Sequence, residues 1–290
     1  MKIVVTGGSG FIGRYAVERL LAERHRLFLL SRDPARDKKL WNSRGRISFI
    51  RGTLGDTRQW ERNAARAKPE VALHLAWEGI PDFSAAMSVK NLKYGLDAIT
   101  AFSKIGCKKI ICPGSCWEYG AQQGKLAEDA APKPFNAFSA AKHALHSMGA
   151  EIAKEHDVQF IWTRLFYVYG PGQKRTSLIP YVTECFRKGE LPRLNNPQGA
   201  NDFIHVKDVA SAFAAIVKKS GPGYGRVYNI GTGRLTSVAE VVNLAYGKAV
   251  MKKPAEMTGF YADMRRMKKE MGWTPRIGIR EGIRDALRGQ

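Results

Sequence analysis

The chain opens with a short apolar run, Ile3-Val4-Val5, that leads straight into Thr6-Gly7-Gly8-Ser9-Gly10-Phe11-Ile12-Gly13. Gly8, Gly10 and Gly13 have the GxGxxG spacing, and their position between a strand and a helix is the context in which that spacing has physical meaning. The first glycine permits a tight turn, the second lets the backbone approach a pyrophosphate, and the third lets helix pack on strand. Gly7 adds a further flexible position, and the N–H groups that open the helix can meet the anion. This predicts a dinucleotide turn at the head of a parallel sheet, with Gly7, Ser9, Gly10, Phe11, Ile12 and Gly13 against the cofactor. Such a start leaves no room for a secretory signal, so a cytoplasmic protein with reduced thiols is expected.

Further apolar runs at 27–30, 47–50, 71–75, 110–112 and 160–163 are continuous rather than alternating, as in strands buried on both faces. Helical spacing of apolar residues at 14–23, 87–103 and 140–155 fills the intervals. The fold class expected is α/β, a Rossmann doubly wound parallel sheet. After Tyr169 the texture changes: Gly170-Pro171-Gly172, Pro180, Pro192 and Pro197 end the regular alternation. The expected division is therefore a cofactor domain over 1–170, with return segments near 202–233, and a smaller substrate-binding lobe over 171–290.

A formal charge of +21 on 290 residues would concentrate anionic ligands around the protein. Lys and Arg are nevertheless scattered, with no zinc-finger or RNP-type signature, so nucleic acid is not the expected partner. Solvated faces plus an anion-binding cleft account for the charge better. The four cysteines lack zinc spacing, and Glu and His form no metal-spaced cluster, so no metal is expected. No apolar run is long enough to span a bilayer.

Where NAD-selective sites end the second strand with an acid that binds the ribose 2′-hydroxyl, this sequence has Ser31 followed by Arg32. These side chains can bond a 2′-phosphate that a carboxylate would repel. NADP(H) is expected, with NAD the alternative if Asp33 serves the ribose.

Several segments in a fixed order carry a resemblance. They are Thr6 to Gly13, Gly52-Thr53-Leu54-Gly55-Asp56, His74-Leu75-Ala76, Gly114-Ser115-Cys116-Trp117-Glu118-Tyr119-Gly120 and Phe138-Ser139-Ala140-Ala141-Lys142. Further on come Arg164-Leu165-Phe166-Tyr167-Val168-Tyr169-Gly170-Pro171-Gly172, Asp202-Phe203-Ile204-His205-Val206 and Asn229-Ile230-Gly231-Thr232-Gly233. Over nearly its whole length the chain resembles the extended short-chain dehydrogenases/reductases of the NAD-dependent epimerase/dehydratase type, which modify nucleotide sugars. The resemblance implies hydride transfer between a sugar carbon and nicotinamide, helped by a Tyr-x-x-x-Lys pair and a Ser or Thr.

Carried over residue by residue, Ser115 takes the hydroxyl position and Lys142 that of the lysine that also binds the nicotinamide ribose. Thr53 and Leu54 fall at the adenine, Leu75 and Ala76 beside the nicotinamide, and His74 reads as a packed histidine. The tyrosine is missing: Phe138 stands in its place, and a phenyl ring transfers no proton. Either another group donates, with Tyr119, Tyr167 and Tyr169 carried near the cleft by their motifs, or the residue was substituted, or the protein no longer catalyses. Cys116 and Trp117 occupy the places of the dehydratase Asp-Glu pair, which argues against dehydration, and Glu118 reads as a structural carboxylate.

Tyr167 replaces the Asn that commonly bonds the substrate diphosphate, and Asn201 replaces an Arg. Arg193, Arg234, Arg265 or Arg266 would then supply the charge. Trp77, Ser115, Tyr119, Tyr167, Arg193 and Arg265 are the expected substrate residues. The function these features imply is an NADP-dependent oxidoreductase acting on a nucleotide-diphosphate sugar, a 4-ketoreductase or a 4-epimerase. The alternative, raised by Phe138, is a catalytically silent NADP(H)-binding sensor or assembly module. A homodimer formed through two helices of the cofactor domain is expected by resemblance.

Overall fold

The computed structural model describes residues 1–41, 45–219 and 223–288. Its contacts divide the chain into two compact units. The first comprises Met1–Gly120, Ala131–Arg164 and Phe213–Tyr228, and the second Ala121–Ala130, Leu165–Ala212 and Asn229–Gln290.

Strands β1 (Lys2–Thr6), β2 (Arg26–Ser31), β3 (Ile47–Arg51), β4 (Val71–His74), β5 (Lys109–Ser115), β7 (Gln159–Leu165) and β11 (Tyr224–Ile230) make one seven-stranded sheet in the order β11-β7-β5-β4-β1-β2-β3. The pairings from β3 through β2, β1 and β4 to β5 are parallel. Register explains the continuous apolar runs. Val4 lies opposite Phe28 and Ala72, and Ala72 opposite Ile110, so these four share a face. They pack with Trp60, Ile99, Phe102 and Leu145 from α3 (Arg58–Ala67), α4 (Ala85–Lys104) and α5 (Ala137–Glu155). Their sequence neighbours, among them Val5 and Leu29, alternate to the other face. There α1 (Phe11–Ala22) lies, with Val17 and Leu29 both close to Gly8. Both faces are covered, and the expected doubly wound α/β fold is the one observed.

The helices start two to three residues before the periodicity suggests because capping, not apolar spacing, sets their ends. Ser84 Oγ accepts from Met87 N at the head of α4, and Asn136 Oδ1 accepts from Ser139 N at the head of α5. A short α2 (Pro34–Lys38) follows β2, with Asp33 as its cap.

In the second unit β6 (Gly124–Leu126) pairs with β13 (Phe260–Ala262), β8 (Tyr167–Tyr169) with β10 (Phe203–His205), and β9 (Ala200–Asn201) with β12 (Thr236–Ser237). Helices α6 (Leu178–Lys188), α8 (Val238–Tyr246) and α9 (Ile279–Arg288) enclose a core built on Tyr169, Val182, Phe203, Val241 and Ile283. The buried Asp202 carboxylate accepts from Thr232 N, Gly233 N and Ala262 N, tying three segments together. Helix α7 (Val206–Lys218) passes from the residues of the second unit to those of the first.

The boundaries differ from those read in the sequence. Residues 202–212 stay with the second unit because β10 pairs with β8, and 121–130 join it because β6 pairs with β13. Three-residue strands carry too little periodicity to announce such pairings. Among the described residues no helix is long and apolar enough to cross a membrane, and no group of three His, Cys, Asp or Glu is placed to hold a metal.

Candidate dinucleotide and reaction site

The turn after β1 is closed by Gly10 N donating to Gly7 O at 3.0 Å. Gly7 has a positive φ of 70°, and a Cβ there would lie 2.7 Å from Ala76 N. A Cβ on Gly13 would strike the carbonyl oxygens of Gly7 and Gly8. The backbone is thus built for glycine, and no side chain caps the N-terminus of α1 at Gly10. The turn fits a pyrophosphate there.

Beside it lies a cavity of about 550 Å³ bordered by Gly7, Ser9, Gly10, Ser31, Arg32, Thr53, Leu54, Leu75, Ala76 and Trp77. Of the expected cofactor residues, Phe11, Ile12 and Gly13 sit in the first turn of α1 rather than on this wall, and Lys142 lies elsewhere in the same unit.

At the end of β2 the side chains are arranged differently from the expectation. Ser31 is buried, donating from Oγ to Asp37 at 2.7 Å and accepting from Asp33 N at 3.1 Å. Its hydroxyl is committed to the turn and does not reach for a phosphate. Asp33 is engaged too, its Oδ1 accepting from Arg36 N at the cap of α2. Arg32 reaches over the surface to Glu78 at 3.2 Å. A second cavity, about 700 Å³, shares Arg32 and Asp33 with the first and adds Lys38 and Arg51. Sequence reasoning passed over Lys38 and Arg51. The signal available was that Arg51 ends β3, the parallel neighbour of β2, opposite Ser31.

Helix α5 sets Phe138 and Lys142 four residues apart, hence on one face. Phe138 belongs to an aromatic box: its ring centroid lies 5.6 Å from Trp77, 5.0 Å from Phe83 and 5.9 Å from Trp117. Phe135 extends the box against Trp117 at 5.5 Å. Lys142 Nζ is buried 3.8 Å over the Trp77 ring and donates to Pro113 O at 2.8 Å. Burial lowers its pKa to about 8, against the partial opposition of Glu118 and Cys112. Ser115 ends β5, and its Oγ accepts from Trp117 N, which leaves its own proton free to donate.

Glu118 fixes this corner from beneath. It has no exposed surface and accepts from Ser115 N at 2.8 Å, Trp162 Nε1 at 3.0 Å and Arg164 Nε at 3.2 Å. Tyr119, expected to meet substrate, is instead fully buried with the Arg164 guanidinium 4.4 Å over its ring, so it packs the support. His74 is a packed histidine, its Nδ1 2.7 Å from Thr6 Oγ1, and burial pulls its pKa down to about 3.

The second unit has a cavity of its own, about 620 Å³, bordered by Gln122, Tyr181, Arg193, Asn195, Asn196, Asn201 and Phe260. Arg193 is on its wall. Tyr167 is not; its ring packs 5.9 Å from Phe203. Arg265 is also elsewhere, with Nε 2.8 Å from the Asp263 carboxylate, which makes it an ion-pair partner in place of the expected diphosphate ligand. Tyr169 is buried against His205, and burial raises its pKa; it packs the core of the second unit and does not border the cavity there. Arg234 is exposed, and Arg266 lies 3.6 Å from Glu128.

A glycine turn built for a pyrophosphate, at the head of a doubly wound sheet, defines a dinucleotide-type Rossmann protein. The chain belongs to the NAD dependent epimerase/dehydratase family, whose sequence signature matches residues 3–231. It is similar to UDP-glucose 4-epimerase 3 of Oryza sativa subsp. japonica, 28% identical with 98% of this chain and 88% of that protein covered. It is also similar to putative UDP-arabinose 4-epimerase 4 of Arabidopsis thaliana, 26% identical over 99% of this chain and 76% of that one. Among solved structures, UDP-glucose 4-epimerase of Thermotoga maritima with UDP-glucose has the same fold, with a TM-score of 0.85 at 24% identity over 99% of this chain and 98% of that one. UDP-glucuronic acid 4-epimerase of Bacillus cereus in complex with NAD superposes with a TM-score of 0.84 at 21% identity, covering 99% and 96%.

Proposed function

We propose that this protein is an NADP(H)-dependent oxidoreductase acting at C4 of a nucleotide-diphosphate sugar, as a 4-ketoreductase or a 4-epimerase. One observation carries the cofactor choice. The cavity at the glycine turn continues at the end of β2 into a second one bordered by Arg32, Lys38 and Arg51, while Asp33 and Asp37 are already engaged. Three cations beside two occupied carboxylates suit a 2′-phosphate better than a bare ribose hydroxyl. The relatives' names, UDP-sugar 4-epimerases, support the substrate class. Asn195 and Asn196 border the second unit's cavity and would meet a nucleotide base, and Arg193 would meet a diphosphate.

Bound nicotinamide would supply the hydride chemistry. Ser115 would hold the sugar carbonyl oxygen through its free proton, and Lys142 would orient the ribose. Phe138 contributes no proton, so in a ketone reduction the proton that follows the hydride would come from water or another donor. A cytoplasmic homodimer goes with this reading, supported by the exposed Val89 of α4 and Met148 of α5.

A second reading follows from Phe138 alone: an NADP(H)-binding sensor or assembly module without turnover. The experiment that tests the proposal is calorimetric titration with NADPH and with NADH, each with and without dTDP-, CDP-, GDP- and UDP-sugars. Tight NADPH binding, strengthened by one nucleotide sugar, is the expected result. Failure to bind either dinucleotide overturns the proposal.

A further inference from the structure

Arg32, one of the three cations at the end of β2, is already engaged. Its Nη1 donates to Glu78 Oε1 at 3.2 Å, while Lys90 Nζ lies 2.9 Å from the other oxygen of the same carboxylate. Sheet order gives this pair its place. Strands β2 and β4 flank β1, so Arg32, just after β2, and Glu78, in the loop after β4, approach from opposite sides of the glycine turn. Both border the cavity of about 550 Å³ beside that turn, and the ion pair ties its two walls together. The acid is held there by its backbone. Glu78 N donates to Asn91 Oδ1 at 2.7 Å, and Asn91 Nδ2 donates to Glu78 O at 3.1 Å and to Met87 O at 2.9 Å. Asn91 is buried, so the loop cannot swing Glu78 away without breaking bonds inside the protein. Asp33 and Asp37, the other acids on this wall, are taken up by the cap of α2 and by Ser31. Glu78 is therefore the carboxylate that contends for Arg32.

We infer that Glu78 sets the cofactor selectivity of this cavity by latching Arg32 across it, in competition with the 2′-phosphate of NADP(H). The inference rests on the NADP(H) reading above. A phosphate monoester carries more charge than a carboxylate and accepts both arms of a guanidinium, so it can draw Arg32 off Glu78. Lys90 stays with the carboxylate when Arg32 leaves, which keeps Glu78 paired in either state. A ribose hydroxyl has no such pull and leaves the latch closed. Glu78 is thus a positioning residue that acts through Arg32, and it makes NADPH bind less tightly than the three cations alone would allow.

The test is fluorescence titration of the full-length protein with NADPH and with NADH, in wild type, Glu78→Gln, Arg32→Ala and the double variant. Glu78→Gln keeps the backbone bonds to Asn91 and removes only the charge. It is expected to bind NADPH about two- to fivefold tighter, the scale of one exposed ion pair, with NADH unchanged to within about 1.5-fold. In the Arg32→Ala background the same substitution should change NADPH affinity by less than about 1.5-fold, because no guanidinium is left to release. The gain should also shrink as salt is raised. A gain shared equally by the two cofactors, or one that persists without Arg32, overturns the inference, since Glu78 would then act only through the general field of the cavity. Unchanged or weaker NADPH binding in Glu78→Gln overturns it too, and the NADP(H) reading stands in that case if Arg32→Ala still weakens NADPH selectively. If wild type prefers NADH, or Arg32→Ala weakens both cofactors alike, the NADP(H) reading itself fails, and the inference with it.

Discussion

Lys142 Nζ rests 3.8 Å above the ring of Trp77, an ammonium enclosed by aromatic faces with Pro113 O as its bonded oxygen. Phe138 and Trp162 stand at 6.0 Å on other sides. Cation–π attraction of about 2 kcal/mol for a desolvated pair offsets part of the burial. The remainder appears as a pKa lowered to about 8, with the neighbouring Cys112 thiol pushed up to about 12 and His74 held neutral.

This sets a pH dependence of stability. Between about 8 and the ordinary lysine value of 10.5, the folded protein binds fewer protons at Lys142 than the unfolded chain does. Stability therefore rises with pH through that window, and below it the full cost of the buried ammonium is present. Lys142→Met removes the cost and is expected to raise the unfolding free energy measured in urea at pH 7 by at most on the order of 3 kcal/mol. The gain should vanish near pH 10.5. A variant equally displaced from wild type at both pH values would mean that Lys142 is not strained by burial.

Phe138→Tyr returns a phenol to the face of α5 that carries Lys142. For an enzyme that lacks its proton donor, turnover of a matched keto sugar is expected to rise by roughly 10²- to 10⁴-fold. NADPH affinity should stay within about twofold, because the cofactor cavity is bordered by other residues. Steady-state kinetics with NADPH oxidation as the readout checks this, and absence of turnover in both forms favours the silent module.

The sheet and the glycine turn were legible because they are local. A continuous apolar run needs no partner to be recognised as a buried strand, and Gly7 to Gly13 are contiguous. The Lys142 and Ser115 positions came from the family resemblance, residue by residue. The charged rim was not legible, because Lys38 and Arg51 are brought together by α2 and β3, and Ser31 was misjudged because Asp37, six residues on, takes its hydroxyl. Nor was the aromatic box, since Phe83 and Phe135 come from loops that no period announces. Tyr119 misled for the same reason: nothing local reveals that Arg164, from β7, lies across its ring.

The charged rim gives a selectivity test. Arg51→Ala combined with Lys38→Ala removes two cations from the cavity that Arg32 shares, and NADPH affinity is expected to fall by about 10- to 100-fold, the scale of one or two exposed charge-assisted bonds. NADH affinity should change less than about twofold, and raising the salt should weaken NADPH more in wild type than in the variant. Arg32→Asp is expected to be still more selective against NADPH. Equal losses for the two cofactors, measured by fluorescence titration, would remove the 2′-phosphate from this place.

Glu118 is the last and most exacting case, because stability and position meet in one carboxylate. Its oxygens hold Ser115 N, the indole of Trp162 and Arg164 Nε, all within 3.2 Å, and both Glu118 and Arg164 are buried. Glu118→Gln keeps the size but leaves the Arg164 charge uncompensated in the interior, and breaking such a pair typically costs about 3–5 kcal/mol. The expected result is a large loss in chemical denaturation, with the folded remainder binding NADPH normally, since the cofactor cavity does not include Glu118. Replacing both partners, Glu118→Gln with Arg164→Met, should recover much of the lost stability because no charge is then stranded. If the double variant is as unstable as the single one, the support beneath Ser115 depends on hydrogen-bond geometry rather than on charge balance.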